Sequence, residues 1–420
     1  MPGGNQNLQR VRAITETTFG ADMSATIVAS GYEVRAHPSQ PDIQKTMLKD
    51  ESNRQRAWED RLDFVGPEMA EFPLKMHLAG SGLPLNDAAV APTVPRTSLT
   101  KIARSVFGGW TGDRGDLAAA GSTTAVINST VGARFEAGGA IIVATGVGGA
   151  LEMREIASKA TNALTLKTLT TNALGTGGAI HNTECIYPED HGSILESLAF
   201  LVESIQRKDV WWLRGCQAVG GFTIETPQGE RPTISFAMKA AGYLHDTQAA
   251  VPIAGALGAA TYTDADPSVL FKSELLFGNS GSTARATLDT YSISFKPSWG
   301  FESIPTVGGL NGIAGYFPTK PEPSMECTFV VRVDDASPYD ETMIKTEWAA
   351  RTKKRIFLQI GNVAGSIVGI SLPCVQITNV KRAAGGTMRA WEITAKVLED
   401  ETATDKTTAK RRAPWRLFFA

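Results

Sequence analysis

The sequence predicts a mainly β protein. A β-sandwich or barrel unit with a flanking short helix occurs twice in tandem, and the first copy carries an inserted small β-barrel-like domain. Three observations lead there. A hairpin near the C-terminus has an echo 157 residues upstream, the elements ahead of each hairpin come in one order, and the stretch 115–190 is cut by glycine turns at short intervals.

The hairpin is the clearest signal. From Ala390 to Val397, Trp391, Ile393, Ala395 and Val397 alternate with Glu392, Thr394 and Lys396. That is the period of a strand with one dry and one wet face. Thr233 to Lys239 repeats it, with Ile234, Phe236 and Met238 apolar and Lys239 in the place of Lys396. Gly229 of the turn Pro227-Gln228-Gly229 falls on Gly386 of Ala384-Gly385-Gly386, and Cys216 and Cys374 open the incoming strands with a slip of one residue.

Upstream of the second hairpin, the pattern predicts a strand Leu288–Phe295, a Gly/Pro-rich loop Ser298–Pro323, a strand Met325–Val333, a helix and a strand Arg355–Ile360. Asp340 suits the helix N-cap, Glu341 its first turn, and Ile344 with Trp348 stands at i,i+4. The first half offers an extended stretch Tyr32–Ala36, a polar loop Pro38–Arg56 and a strand Leu62–Leu78. A helix capped by Thr97 or Ser98 follows, with Leu99, Ile102, Ala103 and Val106 on one face and Gly108 past its end, then a strand Ile194–Glu203.

Between them the insertion shows candidate strands Thr124–Asn128, Ala140–Thr145, Glu152–Ser158, Ala163–Leu169 and Ala179–Ile186. Short strands with glycine turns suggest a small barrel or sandwich. Turn-rich flanks at Gly108–Asp113 and Pro188–Gly192 attach it at low cost. The expected domains are 1–114 plus 191–260, 115–190, 261–400, and a C-terminal linker and arm, 401–420.

Composition excludes several classes. The chain has 420 residues, 42% hydrophobic and 20% charged, which is ordinary globular material. Its net charge of −2 is uneven: Lys406, Lys410, Arg411, Arg412 and Arg416 stand in a terminal stretch without acids, leaving a mildly acidic body. Such a body lacks the clustered cations that bind nucleic acid. Cys185, Cys216, Cys327 and Cys374 are widely spaced, without the spacing of a disulfide framework or zinc site, and Cys216, Cys327 and Cys374, in apolar strand contexts, read as reduced packing residues. No apolar run is long enough for a membrane span, and no signal core opens the chain.

No enzyme is expected. The densest polar cluster, His181, Glu184, Cys185, Glu189, Asp190 and His191, reads as a strand edge and linker and not as a metal site. Asp334-Asp335 reads as an acidic turn before a helix, Gly308–Gly312 precedes no helix that would make a phosphate cradle, and His37, His77 and His245 stand beside no nucleophile. Trp211-Trp212 reads as an anchor of sheet against helix. Neither a cofactor nor a catalytic group is assigned.

Six stretches of the second half carry a resemblance: Tyr291–Phe295, Gly308–Gly315, Met325–Asp335, Arg355–Gly361, Leu372–Ile377 and Arg389–Thr394. With Glu16-Thr-Thr-Phe-Gly20 and Arg214-Gly-Cys-Gln-Ala218, they make the chain resemble the major tail tube proteins of long-tailed bacteriophages. The resemblance implies a tail-tube fold duplicated in tandem, in a structural virion protein assembled in the host cytoplasm. Stacked rings would form the hollow tube of the virion tail that conducts DNA during ejection. Two folds per chain imply homotrimeric rings, with hexameric rings as the alternative. Implied partners are sister chains, tail terminator and tail-tip proteins, and, transiently in the lumen, the tape-measure protein and DNA.

On that reading the wet-face residues Glu225, Ser235, Lys239, Glu392, Thr394 and Lys396 are candidates for the lumen wall, where a balanced or acidic lining lets DNA slide. The loops Ser298–Pro323 and Pro38–Arg56 are candidates for ring-to-ring contacts or plain surface loops. Arg411, Arg412, Trp415, Phe418 and Phe419 form a candidate assembly arm, docking on a neighbouring subunit or folding back on its own chain. Alternatives are a tail-tip or baseplate hub component built on the same fold and a β-rich module binding carbohydrate or a host surface.

Overall fold

A computed structural model of the chain describes residues 9–37, 39–48, 64–82, 95–112, 117–122, 126–129, 135–144, 151–160, 163–168, 170, 172–173, 179–189, 195–204, 209–219, 221–227, 230–247, 274–279, 287–288, 290–296, 301–318, 325–332, 341–383, 390–401 and 409–420. The fold is mainly β, with large antiparallel sheets and a few short helices. Both turns of the repeated hairpin (228–229 and 384–389) and Asp334-Asp335 lie outside the described residues.

In the first half, β1 (Gln9–Thr15), α1 (Ser24–Ser30), β2 (Tyr32–Val34), β3 (Asp42–Leu48) and β4 (Phe64–His77) precede α2 (Ser98–Phe107) and β5 (Gly108–Gly112). The insertion supplies β6 (Leu117–Ser122), β7 (Val126–Ser129), β8 (Ala140–Ala144), β9 (Leu151–Ala160), β10 (Ala163–Leu166) and β11 (Ala179–Asn182). Next come β12 (Glu184–Pro188), β13 (Leu198–Ser204), β14 (Asp209–Gln217), β15 (Phe222–Thr226) and β16 (Thr233–Thr247). The second half holds β17 (Glu274–Asn279), β18 (Thr287–Leu288), β19 (Thr290–Lys296), β20 (Phe301–Leu310), β21 (Ile313–Pro318), β22 (Glu326–Arg332), α3 (Glu341–Ala350), β23 (Lys353–Ile360), β24 (Val368–Arg382), β25 (Ala390–Leu398), α4 (Ala409–Arg412) and β26 (Arg416–Phe419).

The two halves share one strand order. Across the sheet the first runs β2–β1–β13–β14–β16–β4–β3. The second runs β18–β17–β23–β24–β25–β22–β19. Register agrees as well. Near the turn Phe222 stands opposite Phe236 and Val380 opposite Ile393, a slip of one residue. At the base Gln217 faces Lys239 and Gln376 faces Lys396, a slip of two, so irregular pairing along β24 makes Val375, and not the expected Cys374, the counterpart of Cys216. Lys239 faces Glu71 and Lys396 faces Glu326, the same charge pair on the same two strands of each repeat. Core positions follow: Phe72, Leu74 and Met76 are buried on β4, as Cys327, Phe329 and Val331 are on β22. The alternation that fixes a dry face also fixes register, because a slip of one residue would turn every apolar side chain to water.

α2 begins as its sequence dictates. Thr97 and Thr100 bond each other's backbone N–H in a capping box, and Gly108, at φ +82, closes the helix in a conformation that costs a glycine little. All of its residues except Lys101 and Arg104 are buried.

Several expectations are corrected. The expected loop 298–323 is largely a hairpin, β20–β21, turning at Asn311-Gly312 with φ of 50° and 80°. This is the Asn-Gly turn whose twist suits paired strands. The hairpin packs on the first repeat: Ile313 and Tyr316 join Ala241, Phe19 and Leu310 in a small core, and a Cβ on Gly242 would lie 2.6 Å from Leu310. The polar loop 38–56 likewise contains β3, which pairs along β4.

The insertion is a closed barrel, β10–β7–β6–β11–β8–β9, filled by Phe135, Ile141, Val143, Ile156, Leu164, Leu166 and Ile180. It is tighter than the expected 115–190. The chain enters and leaves through two paired strands instead of loops, with Gly112 opposite Glu184 and Gly108 opposite Pro188. β6 was not among the expected strands. The barrel also packs against the second repeat and the C-terminal segment. Ala140, Ile142 and Met153 pack on Leu276, Phe357 and Phe418, and Gln359 bonds Met153 N at 2.7 Å and Leu151 O at 2.8 Å.

The C-terminal segment folds back on its own chain. β26 lies between β12 and β24, with Phe418 opposite Cys185 on one side and Gly369 on the other. Trp415, Phe418 and Phe419 are buried at 0%, 0% and 1% exposure, so these candidate arm residues are core and cannot dock on a neighbour. Arg411 and Arg412 sit in α4, and Arg416 bonds Lys410 O and Arg411 O. Burying these aromatics against three elements outweighs an exposed docking role.

Candidate functional site

The two repeats are joined edge to edge. β15, the upper part of the first hairpin's incoming strand, pairs with β19 of the second repeat: Ile224 opposite Phe295, Glu225 opposite Ser294, Thr226 opposite Ile293. The sheet therefore continues β4–β16–β15–β19–β22–β25–β24 without a break. One register row crosses all of it, from His77 through Thr233, Glu225, Ser294, Thr328 and Thr394 to Asn379.

Paired residues point to the same side of a sheet, so these pairings bring the six candidate wall residues onto one face. Glu225 is exposed, and Ser235, Lys239, Glu392, Thr394 and Lys396 are half-buried. The opposite face is dry: Ile224, Ile234, Phe236, Phe295, Phe329, Ile393 and Ala395 belong to the main core. On the wet face charges neutralise in pairs, Lys239 with Glu71 and Lys381 with Glu392 at 2.8 Å. Exposed pairs of this kind contribute little stability, about 0–1 kcal/mol. Their effect is to leave the described part of this face without a concentrated cationic patch.

Behind the joint, Trp415 meets Phe107, Phe222 and Phe295 with ring centroids 4.7, 5.2 and 6.2 Å away. These rings come from α2, β15, β19 and the chain's end, so the joint is held from its dry side by residues distant in sequence. The segment Glu16–Gly20 meets Arg214–Ala218: Glu16 accepts from Gly20 N at 2.8 Å, Gly215 N at 2.9 Å and Ser197 Oγ at 2.5 Å. Burial raises its pKa despite those bonds.

A second polar centre lies beneath the barrel. Arg416 bonds Glu155 at 2.8 Å and Asp400 at 3.2 Å, while Lys167 bonds the same carboxylates at 2.9 and 2.5 Å. Two cations and two anions, all buried, tie barrel, second repeat and C-terminus together. Nothing in local sequence marks this quartet, because its members are scattered from 155 to 416.

The remaining candidates resolve individually. Cys185, Cys216, Cys327 and Cys374 are free and buried. Among the described residues, no group of three or more His, Cys, Asp or Glu side chains is placed to hold a metal, and no helix is long and apolar enough to cross a membrane. His181 lies on β11 and Glu184 and Cys185 on β12, while Asp190 and His191 lie outside the described residues. Trp212 packs with Ile27 of α1, anchoring sheet to helix, and Trp211 stacks on His245 at 3.9 Å. His37 and His77, far apart in sequence, touch with ring centroids 4.6 Å apart. Compared with known proteins, the chain matches no family model and no curated protein.

Proposed function

We propose that the chain is a structural subunit of a hollow bacteriophage tail tube, three chains closing a ring and rings stacking into a conduit for DNA. The observation that carries this reading is the joint between β15 and β19, where one repeat adds its edge to the next and keeps the wet faces on one side. A repeat that joins its successor head to tail closes into a ring when the rotation allows. Two repeats per chain make three chains the counterpart of six single-repeat subunits. The paired charges and hydroxyls of the wet face suit a wall along which DNA slides.

The β20–β21 hairpin suits contact between rings. It stands out from the first repeat's surface, with Val307 fully exposed and Glu302, Ser303 and Pro305 exposed beside it. Negative-stain electron microscopy of the purified chain tests the reading. Stacked rings or hollow filaments with three-fold symmetry support it, and single chains at every concentration sink it.

A further inference from the structure

We infer that the outer edge of β24, Thr378–Arg382, is one half of the chain-to-chain joint, and that its occupant is the segment 41–45 of a second copy, in a register that sets Lys381 opposite Asp42. The inference rests on the tube reading and names the surface through which the ring would close.

The in-chain joint is the template. Phe222 of β15 corresponds to Val380 of β24, because each faces the matching residue of the next strand. Asp42 corresponds to Lys296, because each faces the glutamate that pairs with the matching lysine of the next strand, Glu71 (opposite Lys239) and Glu326 (opposite Lys396). Ile224 faces Phe295 in the chain. Moving that pairing on by one repeat sets Arg382 opposite Pro41 and Lys381 opposite Asp42, an attractive pair across the new joint. Pro41 donates no N–H, so this joint has fewer backbone bonds than the in-chain one and depends more on side chains.

Both halves present exposed residues, although Pro41 is itself buried. Thr378, Asn379, Lys381 and Arg382 are exposed, as is Asp42. Among the described residues, β24 pairs on that stretch with β25 alone, on its other side. The helices show the same asymmetry. At the in-chain joint Phe107, the last residue of α2, packs on Phe222 at 4.5 Å and on Trp415 of the C-terminal segment at 4.7 Å, and is buried. Near the end of α3, Trp348 donates Nε1–H to Thr378 O at 3.0 Å, beside Val380, and remains 39% exposed. A helix-end aromatic flanks each edge, buried at the occupied joint and partly exposed at the open one. Edge strands left in this condition invite pairing.

The test is a charge exchange read by light scattering and electron microscopy. In Lys381→Glu and in Asp42→Lys, the concentration for half-assembly rises about tenfold, and in the double variant it returns towards wild type. Amide exchange at 378–382 slows on assembly of the wild type. If the wild type assembles, and the single variants assemble equally well or the double shows no recovery, this joint is overturned while the tube reading stands. If the wild type never assembles, the tube reading itself fails.

Discussion

Arg416 donates from Nη1 to Glu155 Oε1 across 2.8 Å, and the two side chains are 0% and 2% exposed. Residues from the C-terminus and from the barrel thus meet in a site closed to water. Removing one partner of a buried charge group is costlier than removing all, because the remainder is left uncompensated. Arg416→Ala leaves Glu155 and Asp400 with Lys167 as the cation of the quartet. The expected loss is about 3–5 kcal/mol, measured by urea unfolding. A replacement that neutralises Arg416, Glu155, Asp400 and Lys167 together with apolar residues should lose less.

Trp415 seals the joint from its dry side, so Trp415→Ala opens a cavity between Phe107, Phe222 and Phe295. The expected cost is about 3–5 kcal/mol. Deleting 406–420 removes β26 as well, exposing the edges of β12 and β24 that it pairs. The deletion should lower the thermal midpoint of the single chain, a defect of folding that precedes any defect of assembly. Equal midpoints for the deletion and the full chain would refute a structural role.

The repeat was legible because it is written in alternation. Trp391, Ile393, Ala395 and Val397 declare a dry face locally, and Ile234, Phe236 and Met238 declare the same one. The C-terminal segment was not legible. A polar linker followed by Arg411, Arg412, Trp415 and Phe418 has the local character of an exposed arm, and only distant rings from Phe107, Phe222 and Phe295 convert it to core. The β20–β21 hairpin was half legible: Asn311-Gly312 is a strong turn signal, but Pro305, Gly308 and Gly309 mask the strand around it. The wet face needed no distant information, whereas the joint did, since nothing in Glu225 or Ser294 reveals that they face each other.

The contact between His37 and His77 predicts a pH dependence. Burial lowers the pKa of His37, with Lys75 adding to it; burial likewise lowers that of His77, with His37, Arg231 and Arg35 adding. Both imidazoles therefore bind protons less readily in the folded chain than in the unfolded one, whose value is about 6.5. The stability they contribute is complete above that pH and declines as pH falls below it. The thermal midpoint should fall between pH 7.5 and 5.5, and His77→Gln should flatten the decline. An equal slope in wild type and variant would remove the pair as its cause.

If the wet face lines a conduit, its charge balance governs how DNA moves past it. Glu225 and Glu392 both lie on that face, Glu225 exposed and Glu392 half-buried beside Lys381. Replacing both by lysine changes the wall by four charges per chain and turns paired charges into a cationic strip. Cations on a wall release counterions from DNA, so affinity then falls steeply with salt. Assembled Glu225→Lys/Glu392→Lys protein should retain duplex DNA at low ionic strength and release it at about 0.2 M salt, while the wild type retains little at either. The measurement is co-sedimentation of labelled DNA with tubes across a salt series. Retention that does not change with the two substitutions would place this face away from the DNA, even in a protein that forms tubes.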